Sequence, residues 1–260
     1  MTEHKSEGGH WYDRDGEPRY TIKGANGKER KTTLRDAKKN GYVPSVTTVI
    51  DILDKPSLNV WKVNKALEAS ISLQRKDDET DSGFINRCKQ EYQKIGSTAA
   101  SEGTKIHALI EEGFLNKTTN KTYEVVQDYL DKSFPNEQWI AEDSFCSSLG
   151  YGGKIDLYSK SGIFVDFKTK DYLKGKKPSS LAFDSYGMQL SAYGQGCGFD
   201  KIKRVSIFID RQEPTFILGH VWDDTHNKHK EMFNSLLTYW KLVKNYDPSF
   251  VLDKTSNETL

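Results

Sequence analysis

The stretch YGGKIDLYSKSGIFVDFKTK, residues 151–170, decides the fold of this 260-residue chain. Two runs rich in β-branched and aromatic residues, IDLYS and IFVDFKT, flank the tripeptide Lys160-Ser161-Gly162. Such runs are typical of strands, and a short connection that contains glycine is typical of a hairpin. The stretch therefore predicts two antiparallel strands joined by a tight turn, inside a strand-rich segment at 137–170.

Two carboxylates and one amine occupy positions on this predicted hairpin that would bring them together. Asp166 and Lys168 are two residues apart, so they project from one face of their strand, while Phe167 points into the core. Asp156 lies on the partner strand, where pairing would place it beside Asp166. Adjacent carboxylates repel each other unless a cation lies between them, and Mg²⁺ prefers oxygen ligands. The amine would then hold a water nucleophile or stabilise charge on a phosphate.

A surface hairpin with a salt bridge would give the same short pattern, because Asp-x-Lys is common by itself. Two further pairs of residues favour the functional interpretation. Gly103 and His107 are four apart on a predicted helix, where the imidazole would add a nitrogen ligand. Gln189 and Tyr193 have the same spacing on a later predicted helix and would hydrogen-bond a phosphate or the lysine. Taken alone, each pair is explained at least as well by an ordinary helix face.

The rest of the chain separates into segments of different character. The predicted boundaries are 1–43 for a polar arm with short strands, 44–135 for a helical region that carries His107, 136–246 for the sheet and its helices, and 247–260 for a tail. We expect 43–246 to form one compact domain. Strands cluster in the C-terminal half and helices in the N-terminal half, so the expected class is α/β (α+β), with a small mixed sheet flanked by helices.

Local signals give finer predictions in the first half of the chain. The segment Gly24-Ala25-Asn26-Gly27 predicts a turn between two short strands. Ser45 and Ser57 are predicted N-caps of two helices separated by a break at Pro56. A long helix is predicted at about 84–114, with an interruption near Gly96.

Composition excludes several classes of protein. The chain has 38 basic and 37 acidic residues and a net charge of +1, so it does not hold nucleic acid by bulk charge alone. Its aromatic content of 12% argues against a disordered chain. No run approaches the roughly 18 apolar residues that a membrane span needs, and no N-terminal apolar segment predicts a secretion signal. Cys88, Cys146 and Cys197 form no CxxC pair, which predicts neither a cysteine-built metal site nor a disulfide framework.

Taken in order, the four elements resemble the motifs of the PD-(D/E)XK nuclease superfamily, in its RecB-like branch. The corresponding motifs are GxxxH at 103–107, GxxD at 153–156, DxK at 166–168 and QxxxY at 189–193. The resemblance spans about residues 100–195 and implies a restriction-endonuclease-like core. The segment at 44–47, with Leu58 and Trp61, is similar to the N-terminal part of the mitochondrial genome maintenance exonuclease family and its phage-encoded relatives.

This resemblance implies a metal ion, Mg²⁺ or Mn²⁺, and a set of residues around it. The implied ligands are His107, Asp156, Asp166 and the main-chain carbonyl of Phe167. The implied catalytic set is Lys168, Asp166, Asp156, Gln189 and Tyr193, with Tyr193 also contacting the DNA backbone. Relatives with an iron–sulfur cluster hold it with four cysteines, so a chain with three is expected to hold no cluster.

Several other residues have a functional and an ordinary interpretation. Glu142 lies where many relatives have an acid and would bind a second ion through water, or it is a surface glutamate. The predicted DNA-contacting residues near the second strand are Lys170, Lys174, Lys176, Lys177 and Thr169, although a lysine-rich loop is also an ordinary solvated loop. The predicted base-stacking residues are Trp61, Tyr92 and Tyr186, although aromatic residues at helical spacing usually belong to a core. His226 and His229 are interpreted as surface residues.

The function that this resemblance implies is hydrolysis of DNA phosphodiester bonds. The leading hypothesis is a metal-dependent DNA exonuclease that acts on single strands or free ends in recombination, repair or replication. A structure-specific endonuclease on the same core is one alternative, and a non-catalytic nucleic-acid-binding protein is another. We expect DNA as the partner, no membrane association, a monomer, and a location in a bacterial or phage-infected cytoplasm.

Overall fold

Nine strands and seven α-helices form the part of the chain that this computed structural model describes, residues 9–223 and 225–250. The strands are β1 (Trp11–Tyr12), β2 (Thr21–Lys23), β3 (Glu29–Lys31), β4 (Val43–Pro44), β5 (Trp139–Ser147), β6 (Tyr151–Ser159), β7 (Ile163–Lys170), β8 (Lys203–Asp210) and β9 (Ile217–Val221). The helices are α1 (Leu34–Asn40), α2 (Val46–Ile50), α3 (Pro56–Ser72), α4 (Asp81–Asn116), α5 (Lys121–Ser133), α6 (Asp184–Gly196) and α7 (His226–Lys244), with a 3-10 helix at Pro178–Leu181. Residues 1–8 of the predicted arm and 251–260 of the predicted tail lie outside the described residues.

The main sheet has five strands in the order β5-β6-β7-β8-β9. Strands β5, β6 and β7 are antiparallel neighbours, β7 and β8 run parallel, and β9 is antiparallel to β8. The predicted hairpin is confirmed as β6 and β7, and Gly162 takes a φ of 92° in its turn, a conformation that glycine adopts without strain. The predicted α/β (α+β) class, with a small mixed sheet and a helical N-terminal half, is therefore confirmed.

Two apolar cores cover the two faces of this sheet. The first joins β6 and β7 to α2, α6 and α7, and contains Trp11 and Phe164. The second joins β7 and β8 to α4 and α5, and contains Ile110 and Val165. Because neighbours in a strand point to opposite faces, the apolar run of β7 supplies both cores at once. A smaller cluster around Phe208 contains residues of the 3-10 helix and of the first turn of α6.

Strand β6 departs from regular geometry at Asp156. Residues two apart share a face of a regular strand, yet Ile155 packs in the first core and Leu157 in the second. The backbone pairing of β6 with β7 stops at Leu157 and Val165, while β7 stays paired with β8 as far as Lys170. The two strands of the hairpin therefore separate at Asp156, and we call this point the fork.

The helical region differs from the sequence prediction in two places. Ser45 caps α2 as predicted, since its hydroxyl accepts a hydrogen bond from the Thr48 amide at 3.0 Å. The predicted cap at Ser57 is wrong, because α3 already begins at Pro56, a residue whose fixed φ suits a first helical position. The predicted interruption near Gly96 is also wrong, because α4 runs unbroken through it.

Two glycines let α4 pack closely against its neighbours. A Cβ atom on Gly113 would lie 2.2 Å from the ring of Tyr123 in α5, and one on Gly103 would lie 2.8 Å from Thr169 Oγ1 in β7. Gly103 therefore fixes how near α4 approaches the strand that carries Asp166 and Lys168.

The N-terminal arm is attached to the main body by both backbone and side-chain contacts. The predicted short strands around Gly24–Gly27 are confirmed as β2 and β3, while β1 pairs with β4. Trp11 packs edge-on against Trp240 of α7, with ring centroids 6.2 Å apart. The Tyr246 hydroxyl lies 2.9 Å from the Tyr42 carbonyl and 3.1 Å from that of Ala37.

All three cysteines are free, and no described helix has the length and apolarity to cross a bilayer.

A buried polar cluster beneath α7 corrects the interpretation of His229. This residue is only 2% exposed, and its Nδ1 atom lies 2.7 Å from the Arg204 guanidinium. Its Nε2 atom lies 3.1 Å from the Asp184 carboxylate. His226, interpreted as a second surface histidine, is half-buried beside Ser191. The surface interpretation was therefore wrong for His229, because its partners come from distant parts of the chain.

Candidate active site at the fork

The fork brings the two predicted carboxylates together. Extended by one residue beyond its last pair, Leu157 with Val165, the register of β6 and β7 would set Asp156 opposite Asp166. Because the strands separate here, the Phe167 amide is free to donate a hydrogen bond of 2.8 Å to Asp156 Oδ2 instead of to a backbone carbonyl of β6. Phe167 itself is buried in the second core, as the alternation predicts.

Lys168 and two residues of α6 surround the Asp166 carboxylate. The Lys168 amine lies 2.7 Å from each oxygen of Asp166 and donates a hydrogen bond of 3.2 Å to Gln189 Oε1. The Gln189 amide nitrogen donates to Asp166 Oδ1 and to the Tyr193 hydroxyl, both at 2.9 Å. The spacing of four between Gln189 and Tyr193 puts both on the face of α6 that covers β7. One helix face therefore fixes the positions of the carboxylate and the amine.

His107 of α4 lies beside the fork from the opposite direction. Its Nδ1 atom is 3.8 Å from Asp156 Oδ2, and its ring packs edge-on against the ring of Phe167. Gly103, one turn earlier in α4, allows this approach because a side chain there would collide with Thr169. The structure thus brings His107 to Asp156, whereas Lys168 contacts Asp166.

Burial and mutual repulsion determine the charges in this cluster. Burial, followed by the charge of Asp166, raises the pKa of Asp156 to about 7. Burial lowers the pKa of His107, so its imidazole is neutral at neutral pH. Burial opposes the charge of Lys168, but the carboxylates of Asp166 and Asp156 outweigh it and raise the pKa of the amine. Burial and the charge of Asp166 hold the pKa of Tyr193 well above its usual value, so its hydroxyl stays protonated.

Glu142 lies next to the fork in an unusual backbone conformation. Its φ of 57° is in the left-handed region, which a glutamate within a strand rarely adopts. The register of β5 and β6 places it opposite Asp156, and its carboxylate forms an ion pair with Lys154. Lys154 also lies 3.9 Å from the Glu111 carboxylate of α4. Only 16% of its side chain is exposed, so Glu142 is not the surface glutamate of the alternative interpretation, and burial raises its pKa despite this lysine.

The groups at the fork are of the chemical types that bind a hard divalent cation. Carboxylates and a main-chain carbonyl are the oxygen ligands that such ions prefer, and a neutral imidazole is a common metal ligand. Asp166 Oδ2 is buried and accepts no hydrogen bond from any residue that the structure describes, although the Lys168 amine lies near it. Across 9–223 and 225–250, however, no three Asp, Glu, His or Cys side chains are grouped closely enough to hold an ion. The donor chemistry fits a cation, while the present arrangement neutralises Asp166 with Lys168.

The predicted DNA-contacting residues lie in three different environments. The Lys170 amine donates a hydrogen bond of 2.7 Å to the Tyr186 hydroxyl, on the same face of β7 as Lys168. Thr169 points to the other face, where it contacts Gly103. The remaining three lysines are exposed in the loop after β7. Lys174 pairs with Glu213 at 2.6 Å, Lys176 donates to the Asp171 carbonyl at 3.1 Å, and Lys177 precedes the 3-10 helix.

The predicted stacking residues are also separated. Trp61 and Tyr92 pack together between α3 and α4, with ring centroids 6.4 Å apart. Trp61 lines a cleft of about 380 Å³ beyond the end of β7, together with Lys94, Tyr172 and Arg211. Tyr186 lies elsewhere, beside Lys168 and Lys170.

Sequence reasoning missed two residues of this site and gave a third, Tyr186, a different role as a base-stacking residue. Glu111 follows His107 by four positions, a spacing that places both on one face of α4. Lys154 lies inside the GxxD motif, at a position that the motif leaves unspecified. Tyr186 precedes Gln189 by three positions, and the same helical spacing would have placed it beside the lysine.

Comparison with known proteins gives no match in sequence, since neither a family model nor a curated protein matches this chain. Among solved structures, the chain is similar to the protein SSO0001, with 15% identity, a TM-score of 0.34, and coverage of 73% of this chain and 87% of that one. It is also similar to an alkaline exonuclease (LHK-Exo) from Laribacter hongkongensis, with 12% identity, a TM-score of 0.39, and coverage of 77% and 89%. At TM-scores this low, neither similarity supports a statement about fold or activity.

Proposed function

We propose that this protein is a metal-dependent deoxyribonuclease, and specifically an exonuclease that acts on single strands or free DNA ends. The observation that carries the proposal is the cluster at the fork, where a charged lysine touches one of two adjacent carboxylates. His107 and Gln189 support this cluster from α4 and α6. Two acids and a neutral imidazole can bind a divalent cation, and an amine beside them can stabilise charge on a phosphate, which together support phosphodiester hydrolysis.

The residues of the fork would divide the work of the reaction between them. Lys168 would orient the attacking water and stabilise the charge that develops on the phosphate oxygens. Gln189 would keep the lysine in place, because its amide binds both the amine and Asp166. The water oxygen would lose a proton to solvent and bond to phosphorus while the bond to the 3′ oxygen breaks, and that oxygen would take up a proton from solvent, leaving a 5′-phosphate and a 3′-hydroxyl.

His107, Asp156, Asp166 and the Phe167 carbonyl are the groups that would hold Mg²⁺ or Mn²⁺. When bound, such an ion would polarise a phosphate oxygen and lower the pKa of a water molecule. The neutral state of His107 leaves a ring nitrogen free to donate its lone pair. Glu142, which the register of β5 and β6 places opposite Asp156, would bind a second ion through water.

The test uses end-labelled linear single-stranded DNA, circular single-stranded DNA and linear duplex, each with Mg²⁺, with Mn²⁺ and with a chelator. We expect shortening of the linear substrates from an end, an intact circle, and no cleavage in chelator. Cleavage of the circular DNA would show that the protein is an endonuclease and not an exonuclease. If linear and circular single-stranded DNA were both retarded in a gel but neither was cleaved with Mg²⁺ or with Mn²⁺, the protein would be a DNA-binding protein and the enzymatic proposal would be overturned.

A further inference from the structure

Two aromatic residues at the start of α6 hold the two lysines of β7. The Tyr186 ring lies 5.1 Å from the Lys168 amine and 5.2 Å from the Lys170 amine, measured to the ring centroid. The Tyr186 hydroxyl accepts the hydrogen bond of 2.7 Å from Lys170. Phe183 adds a second ring at 5.5 Å from the Lys170 amine. One tyrosine therefore contacts both amines, through its face and through its hydroxyl.

The spacing of the two elements explains this arrangement. Lys168 and Lys170 are two apart in β7, so both project toward α6. Tyr186 and Gln189 are three apart in α6, so both face the strand. Gln189 binds Lys168 from one side by hydrogen bonding, while Tyr186 faces it through its ring. A cation over the face of an aromatic ring is attracted by the electron-rich face.

The Tyr186 ring is itself fixed by packing. It contacts the ring of Phe183 edge-on, with centroids 5.6 Å apart, and it lies 6.3 Å from the ring of Phe208 in β8. Phe208 is fully buried, so the sheet provides a rigid support beneath the tyrosine. A ring held in this way offers a fixed reference point for flexible lysine side chains, which otherwise populate many rotamers.

We propose that Tyr186 is a positioning residue that holds the Lys168 and Lys170 amines at a fixed separation along β7. In this arrangement Lys168 acts at the phosphate that is cleaved, and Lys170 binds a neighbouring phosphate of the same strand. The inference rests on the proposed nuclease function and assigns a role to a tyrosine outside the motifs. The hydroxyl serves substrate binding through Lys170, whereas the ring serves the chemical step through Lys168.

The experiment compares steady-state kinetics of short labelled DNA for the wild type, Tyr186→Phe, Tyr186→Leu, Lys170→Met and the double variant of Tyr186→Phe with Lys170→Met. Tyr186→Phe keeps the ring and its packing and removes only the hydroxyl. We expect it to raise KM roughly threefold to tenfold, the effect of one lost hydrogen bond, with kcat unchanged. The double variant should show no larger KM than Lys170→Met alone, because both changes remove the same interaction.

Tyr186→Leu removes the ring as well and should lower kcat about tenfold, as expected for the loss of a cation–π contact. A wild-type kcat in Tyr186→Phe would then show that the ring, and not the hydroxyl, supports the chemical step. Tyr129→Phe is the matched control, because this half-buried tyrosine packs on Gly219 of β9, and its kinetics should equal those of the wild type. Thermal unfolding of each variant measures any loss of folded protein, and Tyr186→Phe carries the test if Tyr186→Leu does not fold.

Three results would overturn the inference. An unchanged KM in Tyr186→Phe would remove the hydroxyl from substrate binding. Additive effects of Tyr186→Phe and Lys170→Met would show that the two residues act independently. A wild-type protein that does not cleave DNA would overturn the proposed function and this inference with it, whereas a cleaving wild type with normal Tyr186 variants would overturn the inference alone.

Discussion

Lys168 is the residue on which the proposed chemistry depends most directly. Its amine is bound to Asp166 and Gln189 and faces the ring of Tyr186, and 23% of its side chain is exposed at the fork. Lys168→Ala should lower the cleavage rate by about a hundredfold or more, because the charge opposite the reacting phosphate is lost. Binding of labelled DNA, measured by fluorescence anisotropy, should change by less than about threefold, since many contacts contribute to it.

Lys177→Ala is the matched control for this variant, because Lys177 is exposed in the loop and outside the fork. It should leave the cleavage rate unchanged and weaken DNA binding slightly at low salt. A Lys168→Ala protein that cleaves at the wild-type rate would exclude the lysine from the mechanism.

At the scale of single residues, the sequence predicts contacts that follow from strand periodicity. A period of two placed Asp166 and Lys168 on one face, and the hairpin register placed Asp156 opposite them. The partners of His229 were not predictable in this way, because Arg204 and Asp184 are 25 and 45 positions away and come from β8 and α6. Histidine in a polar sequence context resembles a surface residue until the packing of two other elements is known.

At the scale of elements, helix α4 offers a matched pair of glycines. Nothing lies within 4 Å of a Cβ atom built on Gly96, whereas one on Gly113 would lie 2.2 Å from the Tyr123 ring. Gly96→Ala should raise the free energy of unfolding by about 0.5–1 kcal/mol, because alanine favours a helix over glycine. Gly113→Ala should lower it by about 1–3 kcal/mol, because the added methyl group forces α4 and α5 apart.

Chemical denaturation of both variants would measure these changes against the wild type. Both substitutions have the same intrinsic effect on helix propensity. Opposite signs of the change in the free energy of unfolding would therefore isolate the effect of packing. Equal stabilisation by Gly96→Ala and Gly113→Ala would contradict the close packing of α4 on Tyr123.

The two errors in the predicted helices have different physical origins. An interruption at Gly96 is a reasonable expectation from propensity, but packing of α4 on α3, α5 and the sheet outweighs the cost of one glycine. Ser57 is a favoured cap by residue type, yet Pro56 at the first helical position starts α3 one residue earlier. Tertiary packing therefore carries α4 through Gly96, whereas the local geometry of Pro56 sets the start of α3.

At the scale of the whole molecule, stability should depend on pH through His226. Burial and the nearby Arg204 guanidinium lower the pKa of His226 to about 4, from 6.5 in the unfolded chain. The unfolded chain therefore takes up a proton between these values while the folded protein does not. The contribution of His226 to stability is complete above pH 6.5 and is lost as the pH falls toward 4.

His226→Gln should remove this contribution, so that its stability falls less than that of the wild type between pH 7.5 and pH 4.5. The expected difference is about 1 kcal/mol, because the ring is partly exposed and solvent screens its charge. Urea unfolding at several pH values would measure it, with the neutral neighbour change Asn227→Gln as control. Parallel curves for wild type and His226→Gln would contradict the assigned pKa.

The order of the strands was the part of the fold that the sequence did not predict. Strands and their clustering in the second half were evident, but the parallel pairing of β7 with β8 depends on a crossover that includes α6. The side chains that α6 places over β7 in this crossover, Gln189 and Tyr193, belong to motifs identified in the sequence. The additional contacts of Tyr186, Lys154 and Glu111 became apparent only when α4, α6 and the sheet were placed together.

Trp11 and Trp240 pack edge-on, so their fluorescence can report whether the N-terminal arm is attached to α7. Both indoles are shielded from water, at 2% and 1% exposure, and they come from opposite ends of the described chain. Release of the arm would expose both rings and move their fluorescence emission to longer wavelengths before the sheet unfolds. In a variant that keeps only Trp11 and Trp240 of the five tryptophans, a red shift that precedes the loss of circular dichroism would therefore report, without any added label, that the N-terminal segment detaches first.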